Sequence, residues 1–228
     1  MTYVVSDIHG CYDKYKNILS KINFSEDDTL YILGDIVDRG HDGIKTLLDV
    51  AERGNVVFLK GNHDYLAYVL LMKLPDFLSE DNSSEELDEM YRLWISDGGE
   101  PTIEEFLYLS ESERDIVLYA LKKSKISETI NVGGKTFLLS HTVPSFDKSD
   151  DYDNWTPDDY VYGEPDYEKI YFEDKYIVTG HTPTGFIDKN SLGKIWKGNN
   201  HIAIDCGAVF GNPLGCLCLD TMEEFYSD

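Results

Sequence analysis

Two aspartates and an arginine follow an apolar run in the segment LGDIVDRG, which spans Leu33–Gly40. Ordinary turn chemistry does not require two carboxylates and a guanidinium so close together. Four other polar clusters also come directly after apolar runs that are typical of strands. The five clusters are Asp7-Ile8-His9, Gly34–Gly40, Gly61–Asp64, Ser140-His141 and Gly180-His181. The pattern indicates a site built at the ends of strands.

The first three clusters recur at a nearly constant interval. His9, Asp35 and His63 are separated by 26 and 28 residues, which is the length of one strand–helix unit. Strands joined by such crossover helices are parallel, and their carboxyl ends lie side by side at one edge of the sheet. We therefore expect the three clusters to converge at that edge.

The side chains in these clusters are oxygen and nitrogen donors, without a thiolate. The candidate metal ligands are Asp7, His9, Asp35, Asn62, His141 and His181. This mixed set suits Mn²⁺, Fe or Zn²⁺ better than Ca²⁺, and it contains too much nitrogen for Mg²⁺ alone. Six ligands exceed the need of one open catalytic ion, so the set predicts two divalent ions, with Mn²⁺ expected first and Fe or Zn²⁺ as alternatives. Asp35, in the middle cluster, is the natural bridge.

Taken singly, each cluster also has an ordinary structural explanation. Asp7 could cap a helix, Asp35 and Asp38 could belong to a turn, and His141 could be a core histidine. Five compatible clusters, all at strand ends, are hard to explain in that way. The joint pattern therefore favours the metal site.

The rest of the chain predicts an α/β fold in one domain, residues 1–228, with a helical insertion at 65–128. Strands and helices alternate up to the third cluster, and a helix from Tyr65 to Pro75 begins the insertion. Hairpins follow after Ile130. The acidic stretch Asp147–Tyr176 reads as a surface loop or edge. The segment Asp97–Thr102, a double-glycine turn within the insertion, is a candidate to approach the site.

Composition restricts the partners. The formal charge is −23, which disfavours nucleic acids and anionic membranes. We find no apolar run long enough for a membrane span and no signal peptide at the start, so we expect a cytoplasmic protein. The four cysteines are expected to be reduced residues of the core, with Cys216 and Cys218 facing the same side of a strand.

The motifs DIHG, GDIVDRG, GNHD, SH and GH resemble the motif series of the calcineurin-like metallophosphoesterases. The form DIVDRG looks like the phosphoprotein phosphatase branch, which includes small bacterial and phage serine/threonine phosphatases. The resemblance runs from about Thr2 to Gly211 and implies a sandwich of two mixed β-sheets flanked by helices, with two metals at the sheet edge.

The resemblance also implies a role for each matching residue. Asp7 and His9 would bind the first metal, Asp35 would bridge, and Asn62, His141 and His181 would bind the second metal. His63 would be the catalytic acid, Asp38 would orient it, and Arg39 would bind phosphate. Two divalent cations can attract a phosphate dianion despite the acidic surface, and can hold a hydroxide for in-line attack.

Phosphate recognition departs from the family pattern. Lys60 stands where the branch commonly has arginine before GNH, and the Trp-x-Arg element of the branch is missing. The chain has only four arginines, at positions 39, 53, 92 and 114. Arg39, Lys60 and Asn62 are therefore the predicted substrate-binding residues, and the helical insertion is a candidate to contribute further contacts.

Three functions are compatible with these observations. The first is a phosphomonoesterase acting on a phosphorylated protein or a small phosphate ester, above all a serine/threonine protein phosphatase. The alternative is a dinucleoside polyphosphate hydrolase (a bis(5'-nucleosyl)-tetraphosphatase), because closely similar motif sets carry that activity. The third is a catalytically inactive scaffold, which the intact set of donors argues against. The sequence does not define an oligomeric state.

Overall fold

The computed structural model describes residues 1–79, 84–145 and 154–228. Its first third alternates strands and helices, in the order β1 (Thr2–Val5), α1 (Tyr12–Lys21), β2 (Thr29–Leu33), α2 (Gly43–Glu52) and β3 (Val56–Leu59). The strands β1, β2 and β3 are parallel neighbours, as the spacing predicted. Helix α1 forms because Tyr15, Ile18 and Leu19 share one face and are buried against the sheet.

Four helices follow β3. They are α3 (Asn62–Phe77), α4 (Glu85–Trp94), α5 (Glu100–Tyr108) and α6 (Glu111–Lys123). Helix α3 starts earlier than predicted and continues two residues past Pro75, because a proline in the last turn removes only one hydrogen bond. Ser110 and Glu113 cap α6 reciprocally. The boundaries 65–128 for an insertion within a single domain stay a prediction.

The remaining elements complete both sheets. They are β4 (Ser127–Val132), β5 (Lys135–Ser140), α7 (Asp159–Tyr162), β6 (Tyr176–Thr179), α8 (Thr184–Ile187), β7 (Trp196–Gly198), β8 (His201–Ala203), β9 (Gly215–Cys218) and β10 (Glu224–Tyr226). The first sheet has the order β10-β9-β1-β2-β3 and the second β4-β5-β6-β8-β7. Strand β9 runs antiparallel to β1, and β5, β6 and β8 are parallel, so both sheets are mixed.

The two sheets pack against each other. Alternate residues of the first sheet, among them Val4 and Leu33, share one apolar cluster with Phe137 and Val178 of the second sheet. The intervening residues, such as Val5, face the other way and pack with the helices. This alternation follows from the two-residue period of a strand. The predicted fold, two mixed β-sheets flanked by helices, is confirmed.

Smaller predictions have mixed outcomes. The four thiols are free, and Cys216 and Cys218 both belong to the helix-facing core, as expected. Part of the acidic stretch, residues 147–153, lies outside the described residues. Its later part is less exposed than predicted, because Tyr171 is buried on the outer face of the second sheet. Among the described residues, no helix has the length and apolarity needed to cross a membrane.

Candidate active site

The carboxyl ends of β1 and β2 are joined by backbone hydrogen bonds that continue past the strands. The amide of Asp7 donates to the carbonyl of Gly34 at 3.1 Å, and the amide of His9 donates to the carbonyl of Asp35 at 2.9 Å. The first two clusters are therefore fixed side by side. The third cluster joins them where the amide of His63 donates to Asp35 Oδ1 at 3.1 Å.

Backbone strain is concentrated in these loops. Among the described residues, ten that are not glycine have a positive φ, and six of the ten are predicted site residues. The six are Asp7, His9, Asp35, Asp38, Arg39 and His181. Such conformations cost about 1–3 kcal/mol each and persist where the surrounding structure enforces them, typically at functional sites. The strain is an indication of function that does not depend on the motifs.

Asn62, His141 and His181 form a compact triangle of donor atoms. His141 Nε2 lies 3.0 Å from Asn62 Oδ1 and 3.1 Å from His181 Nδ1. The distance between Asn62 Oδ1 and His181 Nδ1 is also 3.1 Å. Asp35 Oδ2 lies 3.4 Å from His141 Nε2. Residues from the loops after β2, β5 and β6 and from the start of α3 thus present their polar atoms to one point.

His9 and His141 each carry their proton on Nδ1, which leaves the lone pair on Nε2 to face the site. His141 Nδ1 lies 2.7 Å from the carbonyl of Leu33 and His9 Nδ1 lies 2.9 Å from the carbonyl of Val37, so each Nδ1 carries the proton. Burial lowers the pKa of both rings well below the usual value, and lowers the pKa of His181 to about 4. The histidines are neutral, as metal ligands must be.

Two groups of side chains have the spacing of metal ligands. Their donor atoms lie within 4.8 Å of one another, in the group His9, Asp35 and His63 and in the group Asp35, His141 and His181. Asp35 is common to both groups, which is the arrangement that a bridging carboxylate requires. Converging lone pairs and a buried carboxylate repel one another unless a cation lies between them, so these residues fit two divalent ions.

Asp7 is adjacent to the two groups, but its carboxylate accepts hydrogen bonds from protein groups. Its Oδ2 accepts hydrogen bonds from the Ser6 hydroxyl and, at 3.0 Å, from the amide of His181. Gly180 is needed at this contact, because a Cβ there would lie 2.0 Å from Asp7 Oδ2. Burial, with nearby Asp205 and Asp35, raises the pKa of Asp7 well above its usual value. A bound cation would stabilise the ionised form. The assignment of Asp7 as a ligand stays a prediction.

His63 and Asp38 form a buried pair. His63 Nδ1 lies 2.8 Å from Asp38 Oδ2, which fixes the ring and leaves Nε2 for another partner. His63 Nε2 is buried and has no hydrogen-bond partner among the described residues. An imidazole held in this way can deliver a proton from Nε2 to a group bound beside it.

Two residues that the sequence reasoning missed hold Asp38 in place. Trp94 Nε1, at the end of α4, donates to Asp38 Oδ2 at 2.8 Å. The Thr102 hydroxyl, in α5, donates to Asp38 Oδ1 at 2.6 Å and accepts from the amide of Asp38 at 2.9 Å. Trp94, Asp38 and Thr102 are all fully buried. The helices α4 and α5 therefore support the predicted acid.

The segment Asp97–Thr102 does approach the site. The amide of Arg39 donates to the carbonyl of Gly98 at 2.7 Å, and Asp97 lies 3.5 Å from Arg39 Nη2 and 3.7 Å from His63 Nε2. Gly98 has a φ of 98° and faces Arg39 so closely that a Cβ would lie 2.8 Å from Arg39 Cγ. The double glycine was the sequence signal for this contact.

The two predicted phosphate-binding cations lie in different surroundings. Arg39 is a third exposed, and its Nη1 donates to His9 Nε2 at 3.0 Å, so it stands at the mouth of the site. Lys60 is buried, and its Nζ lies over the rings of Tyr65 and Tyr68, at 5.9 and 5.7 Å. Burial lowers the pKa of Lys60. Its contact with substrate stays a prediction.

Asp64 is a further residue for which the motifs predicted no role. Its carboxylate accepts hydrogen bonds from the amides of Gly61, Asp35 and Ile36, at 2.6–3.0 Å. It ties the start of α3 to the loop after β2 and so sets the position of Asp35. The two remaining histidines lie outside these groups: His41 is exposed and His201 is buried.

The fold and the site together define a metal-dependent phosphoesterase. The model of the calcineurin-like phosphoesterases matches residues 2–204, and the chain belongs to that family.

Three of the similar relatives are described as bis(5'-nucleosyl)-tetraphosphatases. The chain is 27% identical over 228 residues to the bis(5'-nucleosyl)-tetraphosphatase PrpE [asymmetrical] of Bacillus subtilis, covering 92% of this chain and 87% of the relative. It is 35% identical over 88 residues to the symmetrical bis(5'-nucleosyl)-tetraphosphatase of Wigglesworthia glossinidia brevipalpis, covering 38% of this chain. The chain spans only 32% of the length of that relative and 36% of its counterpart from Erwinia tasmaniensis.

Two solved structures share the fold. One, described as a "putative diadenosine tetraphosphatase", has a TM-score of 0.66 at 16% identity and covers 99% of this chain and 91% of its own. The other is a protein serine/threonine phosphatase of Saccharomyces cerevisiae, with a TM-score of 0.61 at 12% identity, covering 100% of this chain and 79% of its own. At these identities the similarity concerns the fold alone.

Proposed function

We propose that the protein is a binuclear-metal hydrolase that cleaves a phosphoanhydride bond of dinucleoside polyphosphates, with dinucleoside tetraphosphates as the main substrates. One observation carries the reaction type: the two donor groups share Asp35, and His63, which belongs to one of them, is paired with Asp38 through its Nδ1. The relative from Bacillus subtilis, which matches nearly the whole chain, supports the choice of substrate.

The ligands in this proposal are Asp7, His9, Asp35, Asn62, His141 and His181. When bound, two divalent cations supply positive charge for the phosphoryl oxygens and acidify a water molecule that can act as the nucleophile. The buried, neutral histidines and the buried carboxylates are suited to hold them. Mn²⁺ is our proposal for the metal, with Fe and Zn²⁺ as alternatives, because the donors combine imidazole, carboxylate and amide.

Arg39 binds and orients the phosphate chain in this proposal. Its guanidinium stands at the mouth of the site and can contact two phosphate oxygens at once. Asp97 restrains the same guanidinium from the solvent side. The acidic surface elsewhere disfavours binding of the anionic chain outside the site, since the formal charge is −23.

His63 donates a proton to the leaving phosphate from Nε2. Asp38 accepts the hydrogen bond from Nδ1 and stabilises the protonated ring, while Trp94 and Thr102 hold Asp38. Burial of the whole group excludes water from the proton path.

A serine/threonine protein phosphatase is the second candidate. The opening of the site favours it, because Arg39 is 31% exposed and Asp97 58% exposed, so a phosphate attached to a protein could reach the guanidinium. The fold similarity to the yeast phosphatase is compatible with both candidates. For either candidate we propose a cytoplasmic location.

A panel of substrates with added Mn²⁺ tests the proposal. Diadenosine tetraphosphate should be hydrolysed with a higher kcat/KM than phosphoserine and phosphothreonine peptides. The His63→Asn variant should lose most of this activity and still bind metal by elemental analysis, which would also exclude an inactive scaffold. Equal rates for His63→Asn and the parent protein, or a preference for the phosphopeptides, would contradict the proposal.

A further inference from the structure

A small apolar groove lies next to Arg39, outside the metal site. Pro183, Phe186, Leu192, Gly207, Phe210 and Asn212 line it, and its volume is about 250 Å³. It is formed by α8 and by the turn after β8. The loop that carries the metal-site residue His181 leads directly into Pro183, so the groove and the site share a wall.

The groove exposes an unusual amount of apolar surface. Phe186 is 84% exposed, Phe210 64% and Leu192 62%, although each is large and apolar. Clustered exposure of this kind is typical of a binding surface, because burying these side chains against a ligand removes them from water. The cluster is independent of the residues that fit the metals.

Phe210 connects the groove to the phosphate-binding group. The guanidinium carbon of Arg39 lies over the ring of Phe210, 5.7 Å from its centroid. Phe210 is held in a short turn between Gly207 and Gly211, both with positive φ. A ligand whose phosphate contacts Arg39 would therefore have its next group against the exposed ring.

We infer that the groove binds one nucleobase of the substrate, by stacking on Phe210 and contact with Phe186 and Leu192. This inference rests on the proposed function, because it names the part of a nucleotide that the groove would take. The volume suits one base, since pockets for whole drug-sized ligands begin at about 300 Å³. An uncharged aromatic base also fits apolar walls better than the charged groups of a phosphopeptide.

Competition assays test the inference without diadenosine tetraphosphate. Adenosine 5'-monophosphate and ribose 5-phosphate carry the same phosphate ester, and only the first carries a base. Both are titrated against hydrolysis of a small phosphate ester with Mn²⁺ present. We expect the base to tighten binding about 10- to 100-fold, the range for stacking on one aromatic surface.

Variants test whether the tighter binding of the base-carrying ester depends on the groove. In Phe210→Ser the ratio of the two competition constants should fall close to one, because the stacking ring is removed, and Phe186→Ser and Leu192→Ser should each lower it by a smaller factor. The control is Tyr119→Ser, on α6, because Tyr119 has the same exposed fraction as Phe210 but lies outside the groove. Saturation-transfer NMR of the adenine protons gives the same comparison without turnover. Equal constants in the parent protein, or an unchanged ratio in Phe210→Ser, would overturn the inference.

The two proposals fail separately. If adenosine 5'-monophosphate binds through the groove but diadenosine tetraphosphate is not cleaved, the base site stands and the proposed substrate is wrong. If diadenosine tetraphosphate is cleaved while the base adds no affinity, the proposed function stands and the groove is not a base site. Loss of activity on phosphopeptides alone in Phe186→Ser would assign the groove to peptides and overturn the inference.

Discussion

Replacing Thr102 by valine should lower the activity of His63, the predicted acid, because Thr102 holds Asp38, which in turn orients His63. Valine keeps the shape of threonine, but it removes the donor to Asp38 Oδ1 and the acceptor for the amide of Asp38. A hydrogen bond to a charged group contributes about 1.5–3 kcal/mol and an ordinary one about 1 kcal/mol. Because Thr102 is fully buried, water does not replace either bond. We expect the free energy of unfolding to fall by about 2–4 kcal/mol.

The catalytic effect should exceed what the stability loss explains. With one of its supports removed, Asp38 holds the ring of His63 less firmly, and small displacements of a catalytic group cost up to about 100-fold in rate. We expect kcat to fall about 10- to 100-fold on phenyl phosphate. The loss should be smaller on p-nitrophenyl phosphate, whose leaving group needs less help from an acid.

Thr46→Val is the matched control. Thr46 is also fully buried, and its hydroxyl donates to the carbonyl of Asp42 at 2.7 Å, away from the acid. Urea unfolding and steady-state kinetics, both with saturating Mn²⁺, compare the two variants. Similar kcat values for Thr102→Val and Thr46→Val, or the same loss on both esters, would refute a positioning role for Thr102.

Three further predictions concern packing, acidity and metal. Gly61→Ala should weaken metal binding strongly, because its Cβ would lie 2.0 Å from Asp35 Oδ1. Gly54→Ala is the control, because the space around Gly54 is open and metal binding should not change. Calorimetric titration with Mn²⁺ compares the two variants. Burial lowers the pKa of His201 to about 3, so stability should be lost as pH falls from about 6.5 towards 3, by up to about 1.4 kcal/mol per pH unit. His201→Gln should flatten that dependence in urea unfolding, and an unchanged slope would contradict it. Mn²⁺ at about 100 times its Kd should stabilise the protein by about 2.7 kcal/mol, and His141→Ala should lose most of this gain in thermal unfolding.

The sheet edge could be predicted from sequence because its geometry is periodic. Regular strand–helix units place successive carboxyl ends together, so the polar residues after β1, β2 and β3 had to converge. His141 and His181 follow parallel strands of the second sheet in the same way. Packing of the sheets then brings the two sets together.

The support of Asp38 could not be predicted, because no periodic rule relates a helix to a distant loop. Trp94 has helical spacing with Leu87 and Tyr91, which is typical of an apolar helix face, and this pattern does not indicate a hydrogen-bond partner 56 residues away. The start of α3 was missed for a local reason. Asn62, His63 and Asp64 have modest helix propensity, and the turn forms because the Asp64 carboxylate accepts the amide of Gly61.

The pairing of β1 with β9 has a consequence for synthesis on the ribosome. Val5 pairs with Cys216, so the innermost strand of the first sheet meets one of its two neighbours only after Gly215–Cys218 has been made. Until then a buried, apolar strand offers free backbone groups along one side, and such groups recruit foreign strands. Nascent chains that stall before Gly215 should therefore be the ones that aggregate or need a chaperone.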